Sequence, residues 1–341
     1  CRRLPSLPSR SSCPMSAVGS STSKEVLWSL FDVLKGSCLC ALFVLGGGWQ
    51  LYAETHRQLV TLRQWDPRFF FMVSITLLHA LFSLVLSPFF MLCDHLGWFS
   101  AYKLHRSERM RPTRGLMVEA LVEAVLGTLV ITPFAAWALY PTFVKFGGEV
   151  MPVVRPPFVQ SWVDFCLSEL TNQFLFYWFH RIFHHRSLYK AIHKKHHRFV
   201  GTVAPASEFA HPLEAIFANT LPVILYSVVR GVHLCVFLVW LFWRVEETYE
   251  AHSGFCFSDS FLGRLGLLNG RKAVLHDWHH TENRGNYGTG MIFDGLFGTA
   301  EPFMKAGGWK AYKERALNQR GSASGGDHHD TGRDKENGKS K

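Results

Sequence analysis

Long apolar runs, parted by short basic or proline- and glycine-bearing stretches, dominate the first two thirds of this chain. Phe69 to Cys93 runs 25 residues without a formal charge, enough to cross a bilayer with some tilt. Leu116 to Phe146 is longer, carries Glu119 and Glu123 near its start, and is expected to be interrupted at Pro133 and Pro141. Gly36 to Tyr52 is short and glycine-rich, with Val26 to Phe31 extending it past Asp32 and Lys35; close helix packing would account for Gly46 to Gly48. Leu213 to Val245 divides at Arg230-Gly231, which predicts two helices in a hairpin. Trp162 to Phe179 differs in kind. It is apolar and aromatic but contains Asp164, Glu169, Asn172 and Gln173, and polar groups in such a helix turn toward protein or water. It should therefore line the site it leads into. No segment reads as a strand, and no repeat of 20 to 50 residues occurs.

Composition supports a membrane protein. Nearly half the residues are apolar and 14% are aromatic, and the mean hydropathy stays slightly positive. The net charge of +10 follows basic residues beside apolar stretches, as at cytoplasmic flanks of membrane helices. No nucleic-acid-binding motif accompanies them, so no nucleic-acid partner is expected. Eight cysteines form no CxxC pair and no regular framework, which excludes a disulfide scaffold. The Arg- and Ser-rich opening, residues 1–25, is led by Cys1 and holds Met15 as a candidate true start. It reads as a disordered segment or a targeting peptide. Residues 26–160 form an N-terminal transmembrane region. Residues 304–341 read as a polar tail, disordered from Asn318 on.

Histidine changes the picture. Of 18 histidines, 12 lie between residues 180 and 280, and three clusters stand out: His180-x-x-x-His184-His185, His193-x-x-His196-His197 and His276-x-x-His279-His280. Residues three and four apart share a helix face, and neutral imidazole ligates iron, zinc and copper. At about 100° per residue the first two clusters would lie on opposite faces of one continuous helix. Convergence on one centre therefore requires a break near Arg186-Ser187. Nine histidines exceed what one zinc needs and suit two metal ions with open positions. His56, His79, His95, His105 and His233, each isolated, are read as ordinary surface or core residues, and His328 and His329 as solvated tail. His211 in SEFAHPLE and His252 in EETYEAHSGF are further candidates, with Glu208, Glu214, Glu247, Glu250 and Asp277 placed to orient imidazoles. No G-x-G-x-x-G, Walker loop, HExxH or activated serine is present.

HRIFHH, IHKKHH, EFAHPLE, EETYEAHSGF, HDWHHTENRGNYG and FDGLFGT, in this order, resemble the fatty acid hydroxylase/sterol desaturase superfamily. AHPLE and HSGF are most similar to C-4 methylsterol monooxygenases and fatty acid hydroxylase domain-containing proteins. Phe255 and Phe293 stand where most relatives carry Tyr and Trp. The resemblance implies an all-α integral membrane protein of about four transmembrane helices with a cytosol-facing helical cap, in the endoplasmic reticulum membrane, residues 161–303 forming the catalytic domain. It further implies two iron ions held by His180, His184, His185, His193, His196, His197, His252, His276, His279 and His280, with His211 a less certain member. Dioxygen, electrons from NAD(P)H through cytochrome b5 or its reductase, and a lipid substrate complete the expectation. Hydroxylation of a sterol C-4 methyl group is favoured; fatty acid or sphingolipid hydroxylation and sterol C-5 desaturation are the rivals. A histidine-rich zinc transporter is the alternative of another class, but transporters hold ligands near the bilayer midplane, whereas these boxes sit in basic segments.

Overall fold

The structure is a computed structural model that describes residues 15–104, 110–264 and 270–318, with side chains from residue 22. Among the described residues four helical runs are long and apolar enough to cross a membrane: α1 (Thr22–Thr61), α2 (Pro67–Leu96), α3 (Arg114–Lys145) and, after α4 (Phe158–Phe183), α5 (Pro212–Arg230). They mark a multi-pass membrane protein. Their outward faces leave Leu77, Val85, Leu129 and Phe134 exposed, the surface that lipid would cover. Four further helices follow: α6 (Leu234–His252), apolar in its first half, then α7 (Arg271–Glu282), α8 (Met291–Leu296) and α9 (Gly308–Asn318). Among the described residues there is no strand, only one bridge between Lys103 and Phe255.

Local chemistry sets the helix ends. Asp66 caps α2, its carboxylate accepting from Arg68 N at 2.7 Å with Pro67 in the first turn. Thr113 caps α3 through Leu116 N. The hairpin expected at Arg230-Gly231 is present: Gly231 takes φ +67° and closes α5, and a Cβ there would collide with the Phe146 carbonyl. The core beneath the site is aromatic, with Phe71, Phe143, Phe165, Phe237 and Trp240 fully buried, and Trp240 Nε1 donating to Val223 O at 2.9 Å.

Several expectations need correction. Pro133 and Pro141 do not interrupt α3, which runs unbroken to Lys145. A π-helical turn at Gly127–Ile131 ends two residues before Pro133. The same pairing recurs at Leu81–Leu86 with Pro88 and at Ala215–Thr220 with Pro222. Proline removes one helical N–H and crowds the preceding turn; one wider turn absorbs both effects. Gly46 and Gly47 meet no neighbour that a Cβ would touch, so close packing does not explain them. They lie at a kink where Gly46 leaves helical geometry at ψ −127°. The helix of the first span begins at Met15, inside the opening read as disordered, because Glu25 pairs with Arg271 at 2.7 Å and Ser29 Oγ accepts from Met291 N. Within the expected tail, α9 is ordered by Tyr312, whose hydroxyl donates to Asp277, and by Lys313, which pairs with Asp259. Disorder is expected from Asn318 on; Asn318 ends α9, and residues 319–341, with His328 and His329, lie outside the described residues, as do residues 1–14 and His105.

Candidate metal centre

Helix α4 buries its polar residues Asp164, Glu169, Asn172 and Gln173 along its length before it reaches His180. It stops at Phe183; His184 is its last αR residue and His185 is extended at ψ 136°. The break thus falls two residues ahead of Arg186-Ser187. After a four-residue turn, Arg186–Tyr189, the chain folds back and His197 N donates to His193 O at 3.2 Å. This reversal faces the second box toward the first. Helix α6 delivers His252 at its end, and α7 delivers His276, His279 and His280.

Two groups result. His180, His184, His193, His197 and His279 form one; His196, His252, His276 and His280 form the other. The groups touch, with the His197 and His280 rings 4.7 Å apart. Within the first, Nε2 atoms face each other at 3.0 Å (His180–His193), 3.1 Å (His184–His279), 3.0 Å (His193–His197) and 3.2 Å (His197–His279). Within the second, His252–His276 is 2.9 Å and His276–His280 is 3.0 Å.

The opposite ring nitrogens decide what these contacts are. His180 Nδ1 donates to Tyr287 O (2.7 Å), His279 Nδ1 to Gly285 O (2.7 Å), His280 Nδ1 to Phe199 O (2.7 Å), His252 Nδ1 to Thr248 O (2.8 Å) and His196 Nδ1 to Phe209 O (3.2 Å). His193 Nδ1 lies 2.8 Å from Glu214 Oε1. A carbonyl only accepts, so each of the five bonded to one carries its proton on Nδ1 and points a bare Nε2 lone pair inward. Burial, first of all, holds all nine imidazoles below the ordinary histidine range, His193, His252 and His279 at about 3. At neutral pH they are uncharged. Lone pairs converging at hydrogen-bond distance repel unless a cation sits between them, and the donor set therefore fits two metal ions.

The other predicted residues are elsewhere. His185 is exposed and its Nδ1 accepts from Ser187 N, capping the short turn at 3.4 Å. His211 does the same for Leu213 N at 3.2 Å. Neither joins a group, because the backbone at each is extended and turns the ring onto the next helix start. Of the five carboxylates, Glu214 alone reaches a ligand-forming imidazole. Glu247 is paired with Lys272, Glu250 accepts from Gly270 N at 2.8 Å, and Asp277 accepts from Thr202 N and Oγ1. Glu208 pairs with His79 at 3.2 Å and accepts from Tyr249 at 2.7 Å, and Thr132 meets the other ring nitrogen at 2.9 Å, so His79 is a satisfied residue, as expected. The sequence reading also missed the backbone carbonyls that orient the rings. One signal for them was present in ENRGNYG. Asn283, Gly285 and Asn286 take φ of +54°, +67° and +51°, curling the chain so that the carbonyls of 285 and 287 meet His279 and His180. Asp294 holds this curl, accepting from Tyr287 N, Gly288 N and Thr299 Oγ1.

The fatty acid hydroxylase model matches residues 165–299, the stretch that contains every histidine of both groups. Methylsterol monooxygenase 2-2 of Arabidopsis thaliana is 31% identical over 76% of this chain and 92% of its own length. The chain belongs to the fatty acid hydroxylase family. Other relatives from this family include very-long-chain aldehyde decarbonylase GL1-8 of Oryza sativa subsp. indica, 34% identical over 66% of this chain and 82% of its own. Fatty acid hydroxylase ahd1 of Mycosarcoma maydis is 30% identical over 63% of the chain and 54% of its own. The methylsterol monooxygenase and fatty acid hydroxylase relatives are oxidoreductases by name. No solved structure matches.

Proposed function

We propose that this chain is a membrane-bound non-haem di-iron oxygenase that hydroxylates a lipid C–H bond, with a sterol C-4 methyl group as the favoured target. The observation that carries this reading is the pair of adjacent imidazole groups, five and four, with bare Nε2 atoms turned inward. Two iron ions held there would supply the electrons that split dioxygen and the oxidising power an unactivated C–H bond requires. The protein's part is to fix five of the nine rings through Nδ1 bonds to backbone carbonyls, to keep the site dry behind the buried aromatic residues, and to hold the target carbon close. Entry from the bilayer side shortens the path of a lipid. Exposed Arg186, Lys190 and Lys194 rim the site, while Lys195 and Arg198 are pinned to Glu123 and Glu119 of α3. That rim supports a cytosolic face in the endoplasmic reticulum membrane and an acidic electron donor such as cytochrome b5 or its reductase, drawing on NAD(P)H.

Metal analysis and lipid profiling test the reading. Purified protein should hold two irons per chain, and a chelator should lower its melting temperature. Expression in yeast strains lacking either the C-4 methylsterol oxidase or the fatty acid hydroxylase should restore sterol demethylation. Restored hydroxy-acids instead would point to the fatty acyl alternative, and an alkane product to the activity for which the rice relative is named. One zinc per chain with no oxidised lipid would overturn the proposal.

A further inference from the structure

A polar chain crosses the membrane helices beside the four-histidine group. Thr132 of α3 lies 2.9 Å from His79 Nδ1 of α2, His79 Nε2 lies 3.2 Å from Glu208 Oε1, and the Tyr249 hydroxyl of α6 donates to the same oxygen at 2.7 Å. Tyr249 stands one turn before His252, and Phe209, next to Glu208, gives His196 its carbonyl partner. The chain thus abuts the second metal group on its membrane side.

It is incompletely satisfied. Glu208 Oε2 makes no hydrogen bond among the described residues, and Thr128 Oγ1, one turn from Thr132 in the widened π turn of α3, is fully buried without a partner. His79 and Glu208 lie among the helices, yet their side chains keep 19% and 20% of their surface uncovered, so the carboxylate can be reached from outside the protein. A carboxylate oxygen beside membrane helices is costly unless something donates to it. A free carboxylate cannot donate, and a hydrocarbon offers nothing.

We propose that Glu208, held by His79 and Tyr249, anchors the hydroxyl group of the lipid substrate and so selects hydroxyl-bearing lipids over free acids and hydrocarbons. The inference rests on the proposed lipid oxidation and specifies its substrate class. The hydroxyl donates to Glu208 Oε2, and the neighbouring carbons then lie on the side of His252 and His196.

Binding by the full chain in lipid nanodiscs tests this without turnover. The probes are two matched sets: cholestanol with cholestane, and octadecan-1-ol with octadecane and octadecanoate. Wild type should bind each alcohol about tenfold or more tightly than its hydrocarbon, and octadecanoate no better than octadecane. Glu208→Ala should abolish the preference while leaving metal content and cholestane affinity unchanged; Glu208→Gln, whose amide oxygen still accepts, should restore part of it. Equal binding of alcohol and hydrocarbon by wild type overturns the anchor and needs no variant to fold. A preference that survives Glu208→Ala overturns it as well. Alcohol preference in a metal-loaded protein that oxidises no lipid would sink the proposed function and leave the anchor standing. Oxidation without preference would do the reverse.

Discussion

The two histidine groups are built from the same boxes by opposite use of one spacing. In His193-x-x-His196-His197 the i, i+4 pair enters the five-membered group and His196 enters the other. In His276-x-x-His279-His280 the pair enters the four-membered group and His279 crosses over. Each box therefore bridges both groups, since neighbouring residues on a helical turn diverge by about 100°. The difference lies in the third contributor. Helix α4 adds a second pair, His180 and His184, to one group; α6 adds only His252 to the other. The smaller group has fewer donors and lies next to Glu208 through His196 and its partner Phe209. Redundancy on one side and scarcity on the other make the two groups unequal in what they can lose.

Removing a donor from each side puts that contrast to the test most directly. His252→Ala leaves three imidazoles in the smaller group, whereas His184→Ala leaves four in the larger. His252→Ala should reduce bound iron from about two to about one per chain and cost more than the 10- to 100-fold typical of outer partners. His184→Ala should keep more of its metal. Metal analysis of both variants beside product formation measures this; equal losses would erase the distinction between the groups.

A smaller effect is expected at Glu214, which lies 2.8 Å from His193 Nδ1. Among the described residues it is the one carboxylate that touches a ring of either group, so Glu214→Gln should weaken metal binding about 10- to 100-fold in the larger group alone. Competition with a chelator of known affinity reads the two sites in sequence. A uniform loss at both would show that Glu214 supports the fold rather than His193.

Gly285 tests the orientation of His279 and ranks next. Its φ of +67° suits no β-carbon, and a methyl group there would collide with the Thr299 carbonyl. Gly285→Ala should cost roughly 1–3 kcal/mol and disturb the larger group, which His279 joins, before the smaller. Thermal unfolding with and without iron separates strain in the curl from loss of the ligand. An unchanged melting temperature would mean that the ENRGNYG turn relaxes freely.

Much of this was legible in the residues. The apolar runs located the membrane helices, the divided hairpin at Gly231 followed from an Arg-Gly pair, and box spacing required a chain break between His184 and His193. What escaped has a common cause. Periodicity tells which face a side chain occupies but not which backbone carbonyl arrives opposite it. The partners of His180, His252, His279 and His280 are all carbonyls, invisible in side-chain chemistry. Prolines were over-read for a related reason, because a π turn can be supplied by residues that carry no signature of it. Lone histidines divide: His79, read as a satisfied residue, has both ring nitrogens partnered, while His211, the less certain candidate, caps a helix.

His185 carries the smallest predicted effect and the sharpest check on the boundary of the larger group. The first box differs from the others in having three intervening residues, so His180 and His184 already form the i, i+4 pair and His185 is left over. On a continuing helix its ring would have swung toward the second box. The helix ends at Phe183 instead, and the ring turns outward to accept from Ser187 N. His185→Ala should remove a helix cap worth about 1 kcal/mol at most, leave iron content unchanged and keep activity within about twofold. His185→Asn, which caps through its side-chain oxygen, should recover the lost stability. Loss of iron in both variants would mean that the turn at Arg186–Tyr189 opens and that His185 moves inward as a sixth donor.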